Sequence, residues 1–275
     1  MGNIHYFSKD TFDTSDELQA LLGVRGNRVM ELASIKVPIT PGFIFDTQAV
    51  KAILNGSLNV EAAVKEYVGF IEKDVNRKYG DGANPLMFKV VLSPDMELLS
   101  FSSIHNVGLT GNVVDGFGKF VGEKFAYEEY RDTFINFGTK LYGMDRSDFK
   151  KIGGEFFGKD TVADLKSLIG KFQEALGEKV PQDPYKQMAT AIRRLAETYI
   201  EGEKEIGNDD ADTAILVQMM AYGNFGTNSC AGSYYSRNIV MGDNEIQGQF
   251  FKQEFHADLA KGTDINQIER EYLDS

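Results

Sequence analysis

The chain has 275 residues, with 41 acidic and 29 basic side chains and a formal net charge of −12. This negative balance argues against a nucleic-acid partner, because contacts with phosphates need a basic surface. Cys230 is the one cysteine, so no intramolecular disulfide can form, which is typical of a cytoplasmic protein. No apolar run reaches the ~18 residues that a membrane-spanning helix needs, so we expect no membrane partner.

The first 110 residues carry short apolar runs separated by proline and glycine. The pattern predicts a helix over 16–22 that ends at Gly23, and a second helix over 27–35. Pro38 and Pro41 exclude a helix interior in the segment that follows, because proline has no backbone donor. Two further helices are expected over 47–54 and 59–75, the first capped by Asp46 or Thr47. Strands are expected over 43–45 and 86–92.

The middle of the chain is predicted to be mostly helical, because aromatic residues recur there at three- and four-residue steps. The clearest further helices are expected over 161–176 and 185–203. Glycine-punctuated, partly β-branched runs over 213–221 and 234–240 indicate strands. The sequence therefore predicts an α+β chain in three parts: an N-terminal α+β lobe (1–110), a helical subdomain (111–203) and a C-terminal β-rich lobe (204–275).

Seven short motifs resemble, in the same order, motifs of the pyruvate phosphate dikinase and phosphoenolpyruvate synthase family. The first, LLGVRGNRVMEL over 21–32, is similar to the family's LLGGKGANLAEM. The second, VPITPGF over 37–43, resembles LPVPPGF. The remaining five lie at 84–87, 124–131, 180–184, 217–224 and 236–238.

The resemblance implies an ATP-grasp-like nucleotide-binding domain with a helical insertion, whose cofactors in the family are ATP and Mg²⁺. It leaves no room in this chain for the family's swivelling phosphohistidine domain or its pyruvate-binding barrel. Phosphoryl transfer on such a domain needs cations for the phosphates, carboxylates for Mg²⁺ and glycine-rich loops whose amides face phosphate oxygens.

The candidate phosphate-binding residues are only partly kept. Arg25 stands where the family has lysine, and Arg237 matches the arginine of a family TRN motif. The arginine of the family's SVRSGA motif becomes Val91, and the glycine becomes Ser93. Lys89 lies two residues earlier and is expected on the same strand face as Val91, from where it can supply the missing charge.

The candidate Mg²⁺ positions have lost their charge. The two glutamates of the family's last motif correspond to Gln249 and Ala257, and an amide oxygen is a poorer Mg²⁺ ligand than a carboxylate. Glu254 or Asp258 is the alternative carboxylate, although Lys252 nearby favours an ordinary surface hairpin. Residues 96–103 correspond to a glycine-rich loop over the phosphates, but they contain no glycine and include Glu97. The three histidines are scattered without metal-ligand spacing, so no metal site is expected.

Three hypotheses follow. The first is a dikinase-like domain that has lost phosphotransfer, a pseudoenzyme without catalytic residues, with a structural, self-assembly or partner-binding role. The second is a domain that still binds ATP through Arg25, Lys89, Arg237 and Gln249, and that regulates or works as a kinase with a separate phosphohistidine carrier. The third is an unrelated α+β binding module.

Overall fold

A computed structural model describes residues 3–95 and 103–252, together with the backbone of 266–267. The strands in this part of the chain are β1 (Ile4–Phe7), β2 (Gly42–Phe45), β3 (Phe88–Ser93), β4 (Ser103–Val107), β5 (Ala214–Met219), β6 (Cys230–Tyr235), β7 (Gln247–Lys252) and β8 (Asn266–Gln267). The helices are α1 (Asp16–Ser34), α2 (Thr47–Leu54), α3 (Val60–Val75), α4 (Val114–Val121), α5 (Glu123–Tyr142), α6 (Arg146–Gly153), α7 (Val162–Leu176) and α8 (Pro184–Glu205).

A five-stranded sheet organises most of the chain. Its strand order is β1-β2-β5-β3-β4, and every neighbouring pair is antiparallel. Strand β5 follows the helical segment in sequence but lies between β2 and β3. Together with helices α4–α8 in the middle of the chain, this sheet confirms the predicted α+β class with a mostly helical insertion.

Helix α1 covers one face of this sheet. Its apolar side chains contact alternate residues of the strands, which point to the same face. The residues of this core cluster are Phe7, Leu18, Leu22, Val29, Met30, Ile44, Val91, Ala214 and Leu216. The cluster holds α1, which carries Arg25, against β5 and against β3, which carries Lys89.

Local capping signals explain several helix starts. Asp46 begins α2 by accepting a hydrogen bond from the Ala49 amide, as one of the two predicted caps. In the helical segment, the side chains of Asp145, Thr161 and Asp183 cap α6, α7 and α8. Among the described residues, no helix combines the length and apolarity required to cross a bilayer.

Contacts group the chain into two compact units. One contains residues 1–118 and 123–220, and the other contains residues 119–122 and 221–275. The smaller unit holds the β6-β7-β8 sheet, and in it the Phe120 ring stacks on the Phe225 ring at a centroid distance of 4.4 Å. The three-part division expected from the sequence stays a prediction.

One predicted strand is wrong in part. The run over 234–240 leaves the sheet after Tyr235, where β6 ends. The Asn238 side-chain oxygen accepts hydrogen bonds from the amides of Val240 and Met241 at 2.9 and 3.0 Å, which folds the segment into a turn. The apolar residues of this turn, which indicated a strand, are exposed instead of packed.

Candidate functional site

A kink at Gly23 divides helix α1 at the motif that carries the resemblance. Gly23 has φ +63° and ψ 177°, so the helix predicted to end there does so, and a second helical segment starts directly after it. Two constraints exclude a side chain at this position. The positive φ value favours glycine, and a Cβ would lie 1.8 Å from the carbonyl oxygen of Ser93.

Groups at the end of strand β3 accept hydrogen bonds from the backbone amides that follow the kink. The Ser93 hydroxyl oxygen accepts hydrogen bonds from the amides of Arg25 and Gly26 at 3.1 and 3.0 Å, and donates one to the Leu22 carbonyl at 2.7 Å. The Pro94 carbonyl accepts from the amide of Val24 at 3.0 Å. The first amides of the second helical segment, which in a phosphate-binding loop face the anion, are therefore bonded within the protein.

Strand register brings two candidate residues onto the face that α1 covers. Lys89 pairs with Gln218, and Val91 pairs with Leu216. Lys89 and Val91 are two residues apart in β3, so their side chains lie on the same face of the sheet, as predicted. Val91 is only 1% exposed within the core cluster, so no side chain at this position contacts a ligand without leaving the core.

Three cations gather near this face. The pKa of Lys89 is lowered by burial and then by the positive charges of Arg25 and Lys140. Burial also lowers the pKa of Lys140, whose Nζ donates a hydrogen bond to the Ser103 carbonyl at 2.7 Å. Burial and the neighbouring Arg28 lower the pKa of Arg25. We call Arg25, Lys89 and Lys140 the cation cluster.

The cation cluster brings three basic side chains near one another in the described part of an acidic protein. Each member is partly buried, and the shifts of all three pKa values show an environment that disfavours the charged form. Lys140 was not among the predicted residues, because it lies on α5, far away in the sequence, and only the packing of α5 against β4 brings it here.

The other two predicted residues lie in the smaller unit. Arg237 is exposed and follows the end of β6. Gln249 lies in β7, opposite Ser233 of β6 and Gln267 of β8. Their role in a nucleotide site stays a prediction.

Two further predictions concern residues outside the described ranges. The loop counterpart at 96–103 is described only at Ser103, and Ala257 lies after residue 252, where the continuous description ends. Within the described ranges, no group of three histidine, cysteine, aspartate or glutamate side chains is arranged to hold a metal ion.

Comparison with known proteins identifies relatives that match nearly the whole chain. The pyruvate, phosphate dikinase of Treponema pallidum (strain Nichols) is 30% identical over 285 residues, which cover 98% of this chain and 31% of that protein. The chloroplastic dikinases of Mesembryanthemum crystallinum and Zea mays are 27% identical over 280 and 286 residues, covering 93% and 94% of this chain and 29% and 30% of theirs. The chain is homologous to a segment of pyruvate, phosphate dikinase.

The dikinase relationship confirms the family suggested by the seven motifs. The chain spans about 30% of the length of these relatives, so what the whole dikinases do does not transfer to it directly. No family model matches the sequence. The chain thus combines a kink at Gly23 with a serine hydroxyl that accepts hydrogen bonds from the amides of Arg25 and Gly26.

Proposed function

We propose that this chain is a dikinase-derived, ATP-grasp-like domain that has lost phosphoryl transfer and acts as a binding protein. The observation that carries the proposal is the Ser93 hydroxyl, bonded to the amides of Arg25 and Gly26. A nucleotide phosphate needs these donors, and it would have to displace a buried side chain to reach them.

The residues present also do not fit a magnesium–nucleotide complex. The position of the first family glutamate is Gln249, which carries no formal charge, and the second is Ala257. Magnesium in phosphate sites is held by one or two carboxylates besides the phosphates. We therefore derive no step through ATP or Mg²⁺.

The binding role that remains is an interaction with a protein partner or with a second copy of the chain, in the cytoplasm. It is supported by the exposed apolar side chains of Tyr234 and of the turn after β6, where Ile239, Val240 and Met241 are 63%, 81% and 73% exposed. Exposed apolar groups of this kind occur at protein interaction sites. Sedimentation of the purified chain at increasing concentration separates self-association from a need for another partner.

The cation cluster favours a second function, the binding of an anionic ligand without catalysis. The positive charges of Arg25 and Lys140 both act on Lys89, and an anion between them would relieve the repulsion. A nucleotide is one such anion, and a domain that binds it would regulate or assist a separate phosphohistidine carrier.

Calorimetric titration with ATP and Mg²⁺ decides between these functions. The lost-transfer proposal expects no turnover and no saturable binding tighter than about 1 mM. A titration with inorganic triphosphate without metal tests the second function, and Lys89→Met should abolish any binding that depends on the cation cluster. Micromolar binding of the magnesium nucleotide, or release of ADP by the pure chain, would overturn the main proposal.

A further inference from the structure

The end of β6 and the turn after it carry a group of exposed apolar side chains in the smaller unit. Tyr235, the last residue of β6, is 53% exposed, and the apolar residues in the middle of the turn are more exposed still. We call Tyr235, Ile239, Val240 and Met241 the turn patch. Tyr234 precedes Tyr235 in the strand, so it points to the other face of the sheet and is not part of the patch.

Hydrogen bonds bring the members of the turn patch together. Tyr235 pairs with Gln247 across β6 and β7, so their side chains lie on the same face. The Gln247 side-chain oxygen accepts a hydrogen bond from the Ile239 amide at 3.1 Å. The Asn238 side-chain oxygen accepts from the amides of the next two apolar residues and keeps them in the same turn. The turn patch is therefore one apolar surface on one side of the hairpin.

The size of the turn patch matches what a stable protein interface needs. At their exposed fractions, the four side chains present on the order of 500 Å² of apolar surface. Homodimer interfaces are about 65% apolar, so an apolar centre of this size corresponds to about 800 Å² on each partner. Stable protein–protein interfaces bury about 800 Å² on each side.

The charges around the turn patch favour a second copy of the chain as the partner. The segment 230–252, which contains the patch, has two basic and two acidic side chains, whereas the whole chain has a net charge of −12. Two copies repel each other, and the repulsion is least where both surfaces are neutral. A partner attracted by the acidic surface would itself be basic, and it would find no net charge to bind at this patch.

We propose that the turn patch is the interface of a homodimer. A two-fold axis places the patch of one copy on the same patch of the other, which is the commonest arrangement of identical chains. Val240 and Met241 contact their counterparts at the centre, and Tyr235 packs at the edge. The inference rests on the proposed function, whose binding role it assigns to a second copy of the chain.

The test is sedimentation equilibrium of the full chain at concentrations from about 1 µM to about 500 µM, at low and at high salt. We expect a monomer–dimer equilibrium with a dissociation constant in the micromolar range. Raising the sodium chloride concentration from about 50 mM to about 500 mM should strengthen the dimer severalfold, because salt screens the repulsion between two acidic chains. An interface held by unlike charges would instead weaken with salt.

Variants locate the interface. Val240→Asp should weaken dimerisation at least about tenfold, because it buries an unpaired carboxylate between the two copies. Ile206→Asp is the matched control and should leave the dimer unchanged, because Ile206 is 78% exposed in the larger unit, outside the turn patch. Methyl NMR of the native chain gives a second measurement. The signals of Ile239, Val240 and Met241 should shift as the concentration rises, whereas those of Ile206 should not.

Three results would overturn the homodimer. One is a chain that is still monomeric at about 500 µM. Another is equal weakening of the dimer by Val240→Asp and Ile206→Asp, and the third is a dimer that weakens as salt is raised. A monomeric chain without turnover would still have lost phosphoryl transfer, whereas release of ADP by a dimeric chain would overturn the proposed function and leave the interface in place.

Discussion

The two ends of strand β3 differ in how their polar groups are satisfied. At Ser93, the side-chain hydroxyl bonds the amides of Arg25 and Gly26 and the Leu22 carbonyl, and the Pro94 carbonyl directly after the strand accepts from the Val24 amide. At Lys89, four residues earlier on the same face, partly buried cations repel one another. Phosphoryl transfer needs backbone donors and cations directed at one ligand, and here the backbone donors are occupied while three cations lie near one another.

Under the function proposed above, this difference would let the cation cluster attract anions while the affinity for nucleotides stays low. Charge attracts any anion over several ångströms, whereas specific binding of phosphates depends on donors at hydrogen-bond distance. The Ser93 end also contributes to stability, because it satisfies buried groups. The Lys89 end reduces stability, because buried like charges are unfavourable. Substitutions at the two ends should therefore have opposite effects on stability.

The largest effect is expected at the kink. Gly23→Ala places a side chain at a positive φ and 1.8 Å from a backbone oxygen of β3, so the strand and the helix must separate. We expect the free energy of unfolding to fall by at least about 3 kcal/mol, measured by urea denaturation.

The matched control is Gly69→Ala in α3, where a Cβ would have no atom within 4 Å and φ is not positive. This change should stabilise the protein by up to about 1 kcal/mol, because alanine has the higher helix propensity. Equal stability of Gly23→Ala and the native chain would show that the kink is not needed for the fold.

Removal of the Ser93 hydroxyl should have the next largest effect. Ser93→Ala leaves two amides and the Leu22 carbonyl without their shared partner in a buried position, and we expect a loss of about 2 kcal/mol in urea denaturation. Ser57→Ala, at an exposed serine, should change stability by less than about 0.5 kcal/mol.

A second variant at this position separates stability from binding. Ser93→Gly restores the residue of the family motif and exposes the amides of Arg25 and Gly26, so the affinity for inorganic triphosphate should rise. If Ser93→Gly binds triphosphate no better than the native chain, the serine is not what closes the site.

Much of this arrangement could be predicted from local sequence. Gly23 predicted the break in α1, and Asp46 was one of two predicted caps for α2. The two-residue spacing of Lys89 and Val91 predicted that they share one face of β3. The sequence also marked Ser93 as a changed residue. Its hydrogen bonds to α1 and the approach of Lys140 could not be predicted, because they depend on how distant segments pack. The sequence pattern predicted a strand where the turn after β6 lies. The hydrogen bonds of the Asn238 side chain stabilise the turn more than the β propensity of the apolar residues favours a strand.

The smallest effect, and the one of opposite sign, is expected at Lys89. Lys89→Met removes a partly buried charge that Arg25 and Lys140 repel, and retains the length of the side chain over the core. We expect the free energy of unfolding at neutral pH to rise by about 1 kcal/mol. Lys73→Met, at an exposed lysine near the end of α3, should change it by less than about 0.5 kcal/mol.

The pH dependence of stability sharpens this prediction. The pKa of Lys89 is lower in the folded state than its ordinary value of 10.5, so between these two values the unfolded chain binds more protons than the folded one. The free energy of unfolding should therefore increase as the pH rises through this window and Lys89 loses its proton. The increase should be complete above pH 10.5. Urea denaturation at several alkaline pH values should show a smaller gain for Lys89→Met than for the native chain. Identical slopes would mean that Lys89 keeps its ordinary pKa and that the repulsion assigned to the cation cluster is absent.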